Sequence, residues 1–279
     1  MYLVKNTNKM NAMMIKAKQE DKSIGFVPTM GYLHKGHISL IKQATLENDL
    51  VVVSIFVNPS QFGPHEDYEK YPRNIERDMD MAKKAGADVI FYPEVSEIYP
   101  IDFKTTIHIG GLSEKLCGAS RPTHFDGVAT VVNKLFHIVK PDRAYFGQKD
   151  AQQVAVIKQM VKDLHMKVAI IPCPIIRDED GLALSSRNVF LNIGERNAAL
   201  VLYGSLSYAR KLIQEGELSA AKIKKEILKM IMLEPLVIVD YIEIVDARSL
   251  EEVKDISLGN LIALAVKIGE IRLIDNIIV

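Results

Sequence analysis

The stretch "IGFVPTMGYLHKGHISLIKQATLENDLVVVSIFV", residues 24–57, decides the fold class of this chain. An apolar run at 24–27 comes first, a segment with helical spacing follows from about Gly36 to Thr45, and a second apolar run fills 50–57. Short apolar runs on either side of a helix are typical of a βαβ unit, whose two strands are parallel. We therefore predict a parallel sheet that includes these two strands.

The same alternation continues further along the chain. Predicted helices at about 74–84, 127–139 and 151–164 are each followed by a short apolar run, "DVIFY", "RAYF" and "KVAII" respectively. Gly86 and Pro141 mark the ends of the first two of these helices. Unbroken apolar strands separated by helices are buried on both faces, which is typical of a doubly wound α/β fold.

The pattern changes after "PCPIIRDEDGLALSSRN". Two predicted helices, at about 195–215 and 220–233, precede the runs "VDYIEIVDA", "LIALAVKI" and "IRLIDNII". Strands that follow one another this closely are spaced like an antiparallel meander. We therefore predict two domains, a larger α/β domain at 1–175 and a smaller α+β domain at 176–279.

Composition excludes several classes of partner. With 48% hydrophobic residues the chain can bury a sizeable core, and its 35 basic and 35 acidic residues cancel, so no overall field attracts nucleic acid or an anionic membrane. Cys117 and Cys173 lie far apart without a C-x-x-C motif, which argues against a disulfide framework or structural zinc. Since the amino-terminal apolar run is too short for a signal peptide and "LVVVSIFV" is too short for a membrane span, we expect a cytoplasmic protein.

Two histidines, His34 and His37, stand where the first strand turns into a helix. Their spacing differs from that of the zinc motif H-E-x-x-H. A helix start offers free backbone N–H groups to an anion, Gly31 and Gly36 permit close approach of the backbone, and imidazoles can donate hydrogen bonds to phosphoryl oxygens. This favours a phosphate site, although H-x-G-H alone is equally compatible with ordinary residues of a first helical turn.

Further polar segments lie at comparable places. Lys149 in "YFGQKDAQQ" and Arg187 in "ALSSRN" are suited to neutralising phosphate, and Asn58 and Gln61 in "FVNPSQFGP" follow the second strand directly. Gln153 lies at another strand-to-helix turn, and amides recognise hydroxyls and carboxylates without adding charge. Each segment alone has an ordinary structural explanation, such as a solvated lysine or a helix cap. Their convergence on one sheet edge is what indicates a site.

The chain also resembles a known family. The order of "PTMGYLHKGH", "FVNPSQF", "RPTHFDGVATVVNKLFHIVKPDRAYFGQKDAQQ", "DGLALSSRN" and "RLIDNI" is similar to that of the pantothenate synthetases, the pantoate–β-alanine ligases of the histidine-motif nucleotidyltransferase superfamily. The resemblance implies a Rossmann-like ATP domain, a smaller carboxyl-terminal lid and a cytoplasmic homodimer. It also implies the reaction: ATP and pantoate form pantoyl adenylate and pyrophosphate, and β-alanine then displaces AMP to give pantothenate.

The resemblance assigns roles residue by residue. His37 is implied as the catalytic histidine, with His34 and Lys149 as further donors. The implied ATP contacts are Met30, Gly31, Tyr32, Leu33, His34, Lys35, Gly36, His37, Gly147, Gln148, Lys149, Asp150, Ile176, Leu184, Ser185, Ser186 and Arg187. Gln61 and Gln153 are implied to hold pantoate, Gln61 also lies near β-alanine, and Asn58 and Arg121 complete the expected substrate site. Tyr32 and Leu184 depart from the family pattern, which commonly has Ala and Met there.

Magnesium is expected on the β- and γ-phosphates of ATP, where it keeps most of its waters, with Asp150 as an outer contact and no all-protein metal site. The remaining histidines, His65, His108, His137 and His165, have no partners at ligand spacing, and we expect no functional role for them. We assign no catalytic role to His124 either.

Two other functions remain open from sequence. A nucleotidylyltransferase that transfers AMP to a phosphorylated acceptor shares the sheet and the paired histidines, although such an acceptor favours additional Arg or Lys over the amides of Gln61 and Gln153. A non-catalytic nucleotide-sensing module would bind ATP in the same loops without turnover.

Overall fold

The computed structural model describes residues 1–64 and 66–279, and this part of the chain contains two β-sheets. The first sheet consists of six parallel strands: β1 (Tyr2–Val4), β2 (Ile24–Thr29), β3 (Leu50–Ile55), β4 (Val89–Phe91), β5 (Arg143–Gly147) and β6 (Ala169–Cys173). They lie in the order β1-β4-β3-β2-β5-β6. From β2 the chain adds β3 and β4 on one side and β5 and β6 on the other, which is a Rossmann-like doubly wound arrangement. The predicted fold class is confirmed.

Helices cover both faces of this sheet. They are α1 (Thr7–Gln19), α2 (Lys35–Glu47), α3 (Ile75–Lys84), α4 (Val95–Ile98), α5 (Cys117–Ser120), α6 (His124–Val139) and α7 (Ala151–Asp163). Successive strand residues face opposite sides, so Phe26 enters the core beneath α1, α6 and α7, whereas Val27 packs beneath α2 and α3. The unbroken apolar strands predicted from sequence follow from this double burial.

The predicted helices and strands are present, with ends that differ by a few residues, but two elements were missed at the amino terminus. Strand β1 is only three residues long and pairs with β4, which is distant in sequence. Helix α1 buries Met10, Met14 and Ala17, whose i, i+4, i+7 spacing is that of one helix face, and Asn6 caps its start, so a local signal was present and overlooked. Strand β1, by contrast, is held by its pairing with β4.

The crevice at the centre of the sheet arises from uneven pairing of β2. This strand pairs with β3 over all six residues, but with β5 only at Gly25 and Phe26. Pro28, two residues further on, has no N–H to contribute to a ladder. Strands β2 and β5 therefore separate toward their carboxyl ends, and the loops that follow them border a crevice at the switch point of the sheet, where ligands bind in this class of fold.

The second sheet is an antiparallel meander of β7 (Val237–Asp246), β8 (Asn260–Ile268) and β9 (Ile271–Ile278), as predicted. One face packs on α8 (Ile193–Gln214) and α9 (Ala220–Ile231). The other face contributes Leu261 and Ala263 to the core of the first sheet. The division of the chain into domains at 175/176 stays a prediction.

Candidate active site

His34 and His37 lie at the amino end of α2, with ring centroids 3.9 Å apart. The Nδ1 atom of His34 accepts the backbone N–H of Gly36 at 3.1 Å, and the Nδ1 atom of His37 accepts the backbone N–H of His34 at 3.2 Å. A ring nitrogen that accepts a hydrogen bond carries no proton, so this geometry assigns the proton of each neutral imidazole to Nε2. Both rings line the crevice and offer it an N–H donor.

Both imidazoles are held in the neutral form. Burial, with a smaller contribution from the Lys149 ammonium, lowers the pKa of His34 to about 4. Burial and the neighbouring His34 lower the pKa of His37 well below its ordinary value. A second proton would also have to enter at Nδ1, where it would face a backbone N–H. The backbone N–H that points at each Nδ1 therefore both fixes the tautomer and opposes formation of the imidazolium cation.

Several backbone N–H groups at and before this helix start donate within the protein. The N–H groups of His34 and Gly36 donate to the imidazoles, and those of Tyr32 and Leu33 donate to the two carboxylate oxygens of Asp78 at 2.7 Å each. Each imidazole accepts from the backbone on one nitrogen and presents an N–H on the other. The imidazoles therefore add side-chain N–H donors to the crevice at this helix start.

Asp78, on α3, was missed by the sequence analysis because no local motif marks it. Its side chain is 1% exposed, and burial raises the pKa of the carboxyl against the opposing effect of the two backbone N–H groups. These bonds hold a loop in which Gly31 and Tyr32 have φ angles of +86° and +47°. The left-handed conformation strains a tyrosine, so the loop depends on Asp78 for its shape.

The crevice is a cavity of about 230 Å³ at the carboxyl ends of β2 and β5. Most of the predicted site residues line it: Met30, His34, Gly36, His37, Asn58, Gln61, Arg121, Gly147, Lys149, Asp150, Gln153, Ile176, Leu184, Ser185, Ser186 and Arg187. Five belong to the same loops but do not line it: Gly31, Tyr32, Leu33, Lys35 and Gln148. Leu33 is buried in the core, and the Tyr32 ring lies 4.8 Å from the Arg77 guanidinium.

A second cavity of about 660 Å³ lies between the two sheets. It shares Arg121, Lys149, Gln153 and Arg187 with the crevice, so the two cavities form one cleft. The carboxyl-terminal sheet forms the opposite wall of this cavity, which includes Tyr241 of β7 and residues 270–276, most of them in β9. The candidate site therefore extends from the first sheet to the second.

The amide of Gln61 is held at the base of the crevice. Its Nε2 donates to the Met30 sulfur at 2.8 Å, and its Oε1 accepts from Asn58 at 3.2 Å. Asn58 is 1% exposed and also donates to the Gly127 carbonyl, while its Oδ1 accepts from the Tyr99 hydroxyl. The predicted substrate amide Asn58 thus contacts Gln61 and makes its own hydrogen bonds within the protein.

His124 supports the backbone of the 3₁₀ turn Pro59–Gln61, which carries Gln61. Its Nδ1–H donates to the Gln61 carbonyl at 2.7 Å, and its Nε2 accepts from Arg121 at 3.1 Å. Burial, followed by the Arg121 charge, lowers the pKa of His124 to about 4. The neutral ring therefore joins two predicted substrate residues, which the sequence analysis did not anticipate.

The glutamines in "AQQV" have different environments. Gln152 is 5% exposed, accepts the Cys117 N–H at 2.9 Å and donates to the carbonyls of Leu112 and Lys115. Gln153 lines both cavities. The structure thus places Gln152 in the protein interior and leaves Gln153 facing the cleft, which is where the sequence analysis expected it.

Two arginines of the cleft are paired with consecutive carboxylates. Arg187 donates two hydrogen bonds to Asp67 at 2.7 Å each, and Arg121 donates two to Glu66 at 2.6 Å each. Burial raises the pKa of each carboxyl, but the paired guanidinium outweighs it and the net shift is downward. Such bidentate geometry also suits phosphate, so each arginine is already arranged to hold an anion.

The segment that carries Arg187 closes onto the histidine loop. The hydroxyl of Ser186 donates to the Tyr32 carbonyl at 3.2 Å, and the Ser185 hydroxyl accepts the Arg187 N–H at 3.2 Å. Residues 154 positions apart are thereby in direct contact. The predicted ATP segment at 184–187 therefore contacts the predicted ATP segment at 30–37.

Three other histidines lie away from the cleft. His108 bonds Asp126 and Glu114 on the surface, His137 bonds the Asn133 carbonyl of its own helix, and His165 is exposed. His65 lies outside the described residues. Within the described ranges, no group of three or more His, Cys, Asp or Glu side chains is arranged to hold a metal ion. No helix in that same part of the chain is long and apolar enough to cross a bilayer.

Comparison with known proteins gives consistent results. The family model described as pantoate-beta-alanine ligase matches residues 2–278. A pantothenate synthetase from Caldicellulosiruptor bescii is 56% identical over 279 residues, covering 100% of this chain and 99% of that protein, and one from Acetivibrio thermocellus is 54% identical over the same coverage.

Solved structures agree. The pantothenate synthetase from Thermus thermophilus superimposes with a TM-score of 0.95 at 44% identity, covering 99% of each chain. The pantoate-beta-alanine ligase from Francisella tularensis, described as complexed with beta-gamma ATP and beta-alanine, gives a TM-score of 0.81 at 38% identity, covering 100% of this chain and 97% of that one.

Proposed function

The chain belongs to the pantoate–β-alanine ligase family, and from that premise we propose that its cleft joins pantoate to β-alanine at the expense of ATP. The observation that carries this proposal is the convergence at one crevice of two neutral imidazoles, a lysine, two guanidinium groups and three amides. The Francisella tularensis relative, complexed with beta-gamma ATP and beta-alanine, supports two of the three substrates.

In the first step, a carboxylate oxygen of pantoate attacks the α-phosphorus of ATP, and the bond from that phosphorus to the leaving pyrophosphate breaks. Both reactants are anions, so positioned donors are needed to offset their repulsion. The Nε2–H groups of His34 and His37 stabilise the charge that develops on the α-phosphate. Lys149 and Arg187 neutralise the departing phosphates, Arg187 after exchanging Asp67 for a phosphate group.

In the second step, the amine of β-alanine attacks the acyl carbon of pantoyl adenylate. The carbon–oxygen bond to AMP breaks, an amide forms, and the amine releases its proton to solvent. Gln61 and Gln153 hold the hydroxyls and the reacting carboxyl of pantoate through both steps. Asn58 orients Gln61, and Arg121 lies on the same side of the cleft for the carboxylate of β-alanine.

Magnesium fits this site as an ion carried by the nucleotide. Asp150 lines both cavities and is the carboxylate that would face it through water, and the bound ion supplies positive charge at the β- and γ-phosphates. We further propose the residue roles given by the resemblance, a cytoplasmic location, a homodimer, and the carboxyl-terminal domain as the outer cover of the cleft.

The decisive experiment is incubation of the protein with ATP, magnesium, pantoate and β-alanine, followed by quantification of AMP, pyrophosphate and pantothenate. We expect the three products in equal amounts. A product that retains AMP would instead identify a nucleotidylyltransferase, and ATP binding without turnover would identify a sensing module.

His37→Ala tests the chemical role of the histidine pair. Loss of one transition-state donor should slow adenylate formation by roughly 10²–10³-fold. Adenylate formation is measured as pyrophosphate release in a single turnover, and circular dichroism checks that the variant is folded. Near-normal pyrophosphate release from a folded variant would remove His37 from the mechanism.

A further inference from the structure

Two consecutive residues of β9, Asp275 and Asn276, reach from the carboxyl-terminal sheet to separate parts of the cleft. Each is 3% exposed. Asn276 contacts the turn that carries Lys149, and Asp275 contacts Arg177, in the segment that leads to Ser185 and Arg187. One strand thus contacts two of the proposed ATP-binding segments.

The amide of Asn276 is used entirely as a donor. Its Nδ2 donates to the carbonyls of Gln148 and Lys149 at 3.0 and 2.9 Å, while its buried Oδ1 has no hydrogen-bond partner among the described residues. A buried oxygen without a partner costs about 1–3 kcal/mol, so half of this amide opposes folding. The benefit that remains is the fixed position of the turn from which the Lys149 side chain extends into the cleft.

Asp275 acts on the other segment through Arg177. Its two oxygens accept two hydrogen bonds from the Arg177 guanidinium at 2.6 and 2.8 Å. The same guanidinium donates to the Gly181 carbonyl and lies 4.1 Å from the ring of Tyr203 on α8. The ion pair is therefore largely shielded from solvent, with side-chain exposures of 16% for Arg177 and 2% for Asp275.

Arg177 lies within a hairpin whose two ends face the nucleotide site. The hairpin is closed by hydrogen bonds from Asp178 to Leu182 and from Leu184 to Ile176, at 2.9 and 3.0 Å. Ile176 and Leu184 both line the crevice. A carboxylate that fixes Arg177 therefore also fixes the spacing of these two residues and the start of the segment that continues to Arg187.

We propose that Asp275 and Asn276 are positioning residues for ATP, which hold the Lys149 turn and the 176–187 segment at a fixed separation. The inference rests on the proposed function of those segments. It makes the carboxyl-terminal sheet part of the nucleotide site itself, with Asn276 acting on the phosphates through Lys149 and Asp275 acting through the hairpin.

The test compares Asn276→Ala with Asn260→Ala. Asn260 is also a buried asparagine of this sheet, 4% exposed, but its Oδ1 accepts from Ser257, which lines neither cavity. We expect Asn276→Ala to lower kcat/KM for ATP in adenylate formation by roughly 10- to 100-fold, the cost of a displacement near the chemistry. Reaction of supplied pantoyl adenylate with β-alanine should stay within about twofold of wild type, because that step does not use the β- and γ-phosphates.

Asn260→Ala should lower the melting temperature without the selective loss in ATP use. Equal effects of the two variants on ATP use, or equal loss of both half-reactions in Asn276→Ala, would overturn the role of Asn276.

In Asp275→Asn the KM for ATP should rise while the KM for pantoate stays constant; a parallel rise of both would overturn the role of Asp275. A wild-type protein that makes no pantothenate would refute the proposed function instead, so the two failures are distinguishable.

Discussion

At the scale of single residues, the histidine pair shows how one side chain serves the backbone and the ligand together. A serine or aspartate at the start of α2 would also accept a backbone N–H, and this is the usual way to cap a helix. An imidazole has a second nitrogen on the far side of its ring. Because His34 and His37 accept backbone N–H groups at Nδ1, each ring carries its proton at Nε2 and can donate it to a ligand in the crevice.

The lowered pKa of His34 predicts a pH dependence of stability. Because its pKa falls from 6.5 to about 4 on folding, the unfolded chain takes up a proton more readily than the native protein between these values. Stability should therefore be lost as the pH falls from 6.5 toward 4, by up to roughly 3 kcal/mol for this group. Urea unfolding of wild type and His34→Asn, which keeps a capping side chain but does not titrate, measures the difference.

The difference in unfolding free energy between the two proteins should be constant above pH 6.5 and should shift in favour of the variant below it. A difference that is independent of pH from 7 to 4 would show that His34 is protonated as readily in the native protein as in the unfolded chain, contrary to its buried acceptor geometry.

At the scale of secondary-structure elements, the contact between α6 and the short 3₁₀ turn Pro59–Gln61 positions Gln61, which is proposed to hold pantoate. Gly127 is the residue of α6 at the point of contact. A Cβ atom there would lie 2.6 Å from the backbone nitrogen of Gln61 and closer still to the Ser60 carbonyl. Glycine is therefore required because the backbones of two elements meet, whereas its φ angle is that of an ordinary helix.

Gly127→Ala should push the turn outward and displace Gln61. We expect a loss of about 1–3 kcal/mol in stability from overpacking, and a KM for pantoate that rises more than the KM for ATP. Steady-state kinetics with each substrate varied in turn, together with thermal unfolding, measures both effects.

Gly204→Ala in α8 is the matched control, since a Cβ there meets nothing within 4 Å. Alanine in an open helical position should stabilise the protein by roughly 0.5–1 kcal/mol and leave both KM values unchanged. If Gly127→Ala behaved like Gly204→Ala, the contact with α6 would not control the position of Gln61.

At the scale of the whole molecule, the cleft is closed by contacts between distant parts of the chain. Asp67, which precedes α3, holds Arg187, 120 positions further along. Each of these two side chains is less than one-third exposed, so solvent screens the pair only in part. In the proposed reaction the Asp67 carboxylate accepts the hydrogen bonds of the Arg187 guanidinium until a phosphate group replaces it.

Asp67→Asn should therefore tighten ATP binding, because Arg187 no longer has to leave a charged partner. A pair of this exposure is worth about 1 kcal/mol, which corresponds to roughly fivefold in the dissociation constant. Isothermal titration with ATP and magnesium gives the value, and Asp80→Asn, which removes an exposed ion pair with Lys84, should leave it unchanged. Weaker binding in Asp67→Asn would mean that the carboxylate assists the nucleotide instead of competing with it.

The sequence by itself determined the parallel α/β sheet, the antiparallel meander and the loops that border the cleft. Those features depend on signals within short windows: β-branched apolar runs, helical spacing, and glycine or proline at the ends. The motif resemblance added the family, and the family comparison confirmed it. Most of the predicted ATP and substrate residues line the crevice for the simple reason that parallel strands end at one edge.

Tertiary structure alone decided how the site residues are held. Gln152 is buried by contacts with residues 35 to 40 positions away, whereas Gln153 faces the cleft, and Asp78 holds a loop 45 positions away. Asn276 and Lys149 are 127 positions apart, and no window of sequence contains both. Such contacts form only when the folded core brings the two segments together, because it is the packing of distant elements, and not the local chain, that sets the distance between them.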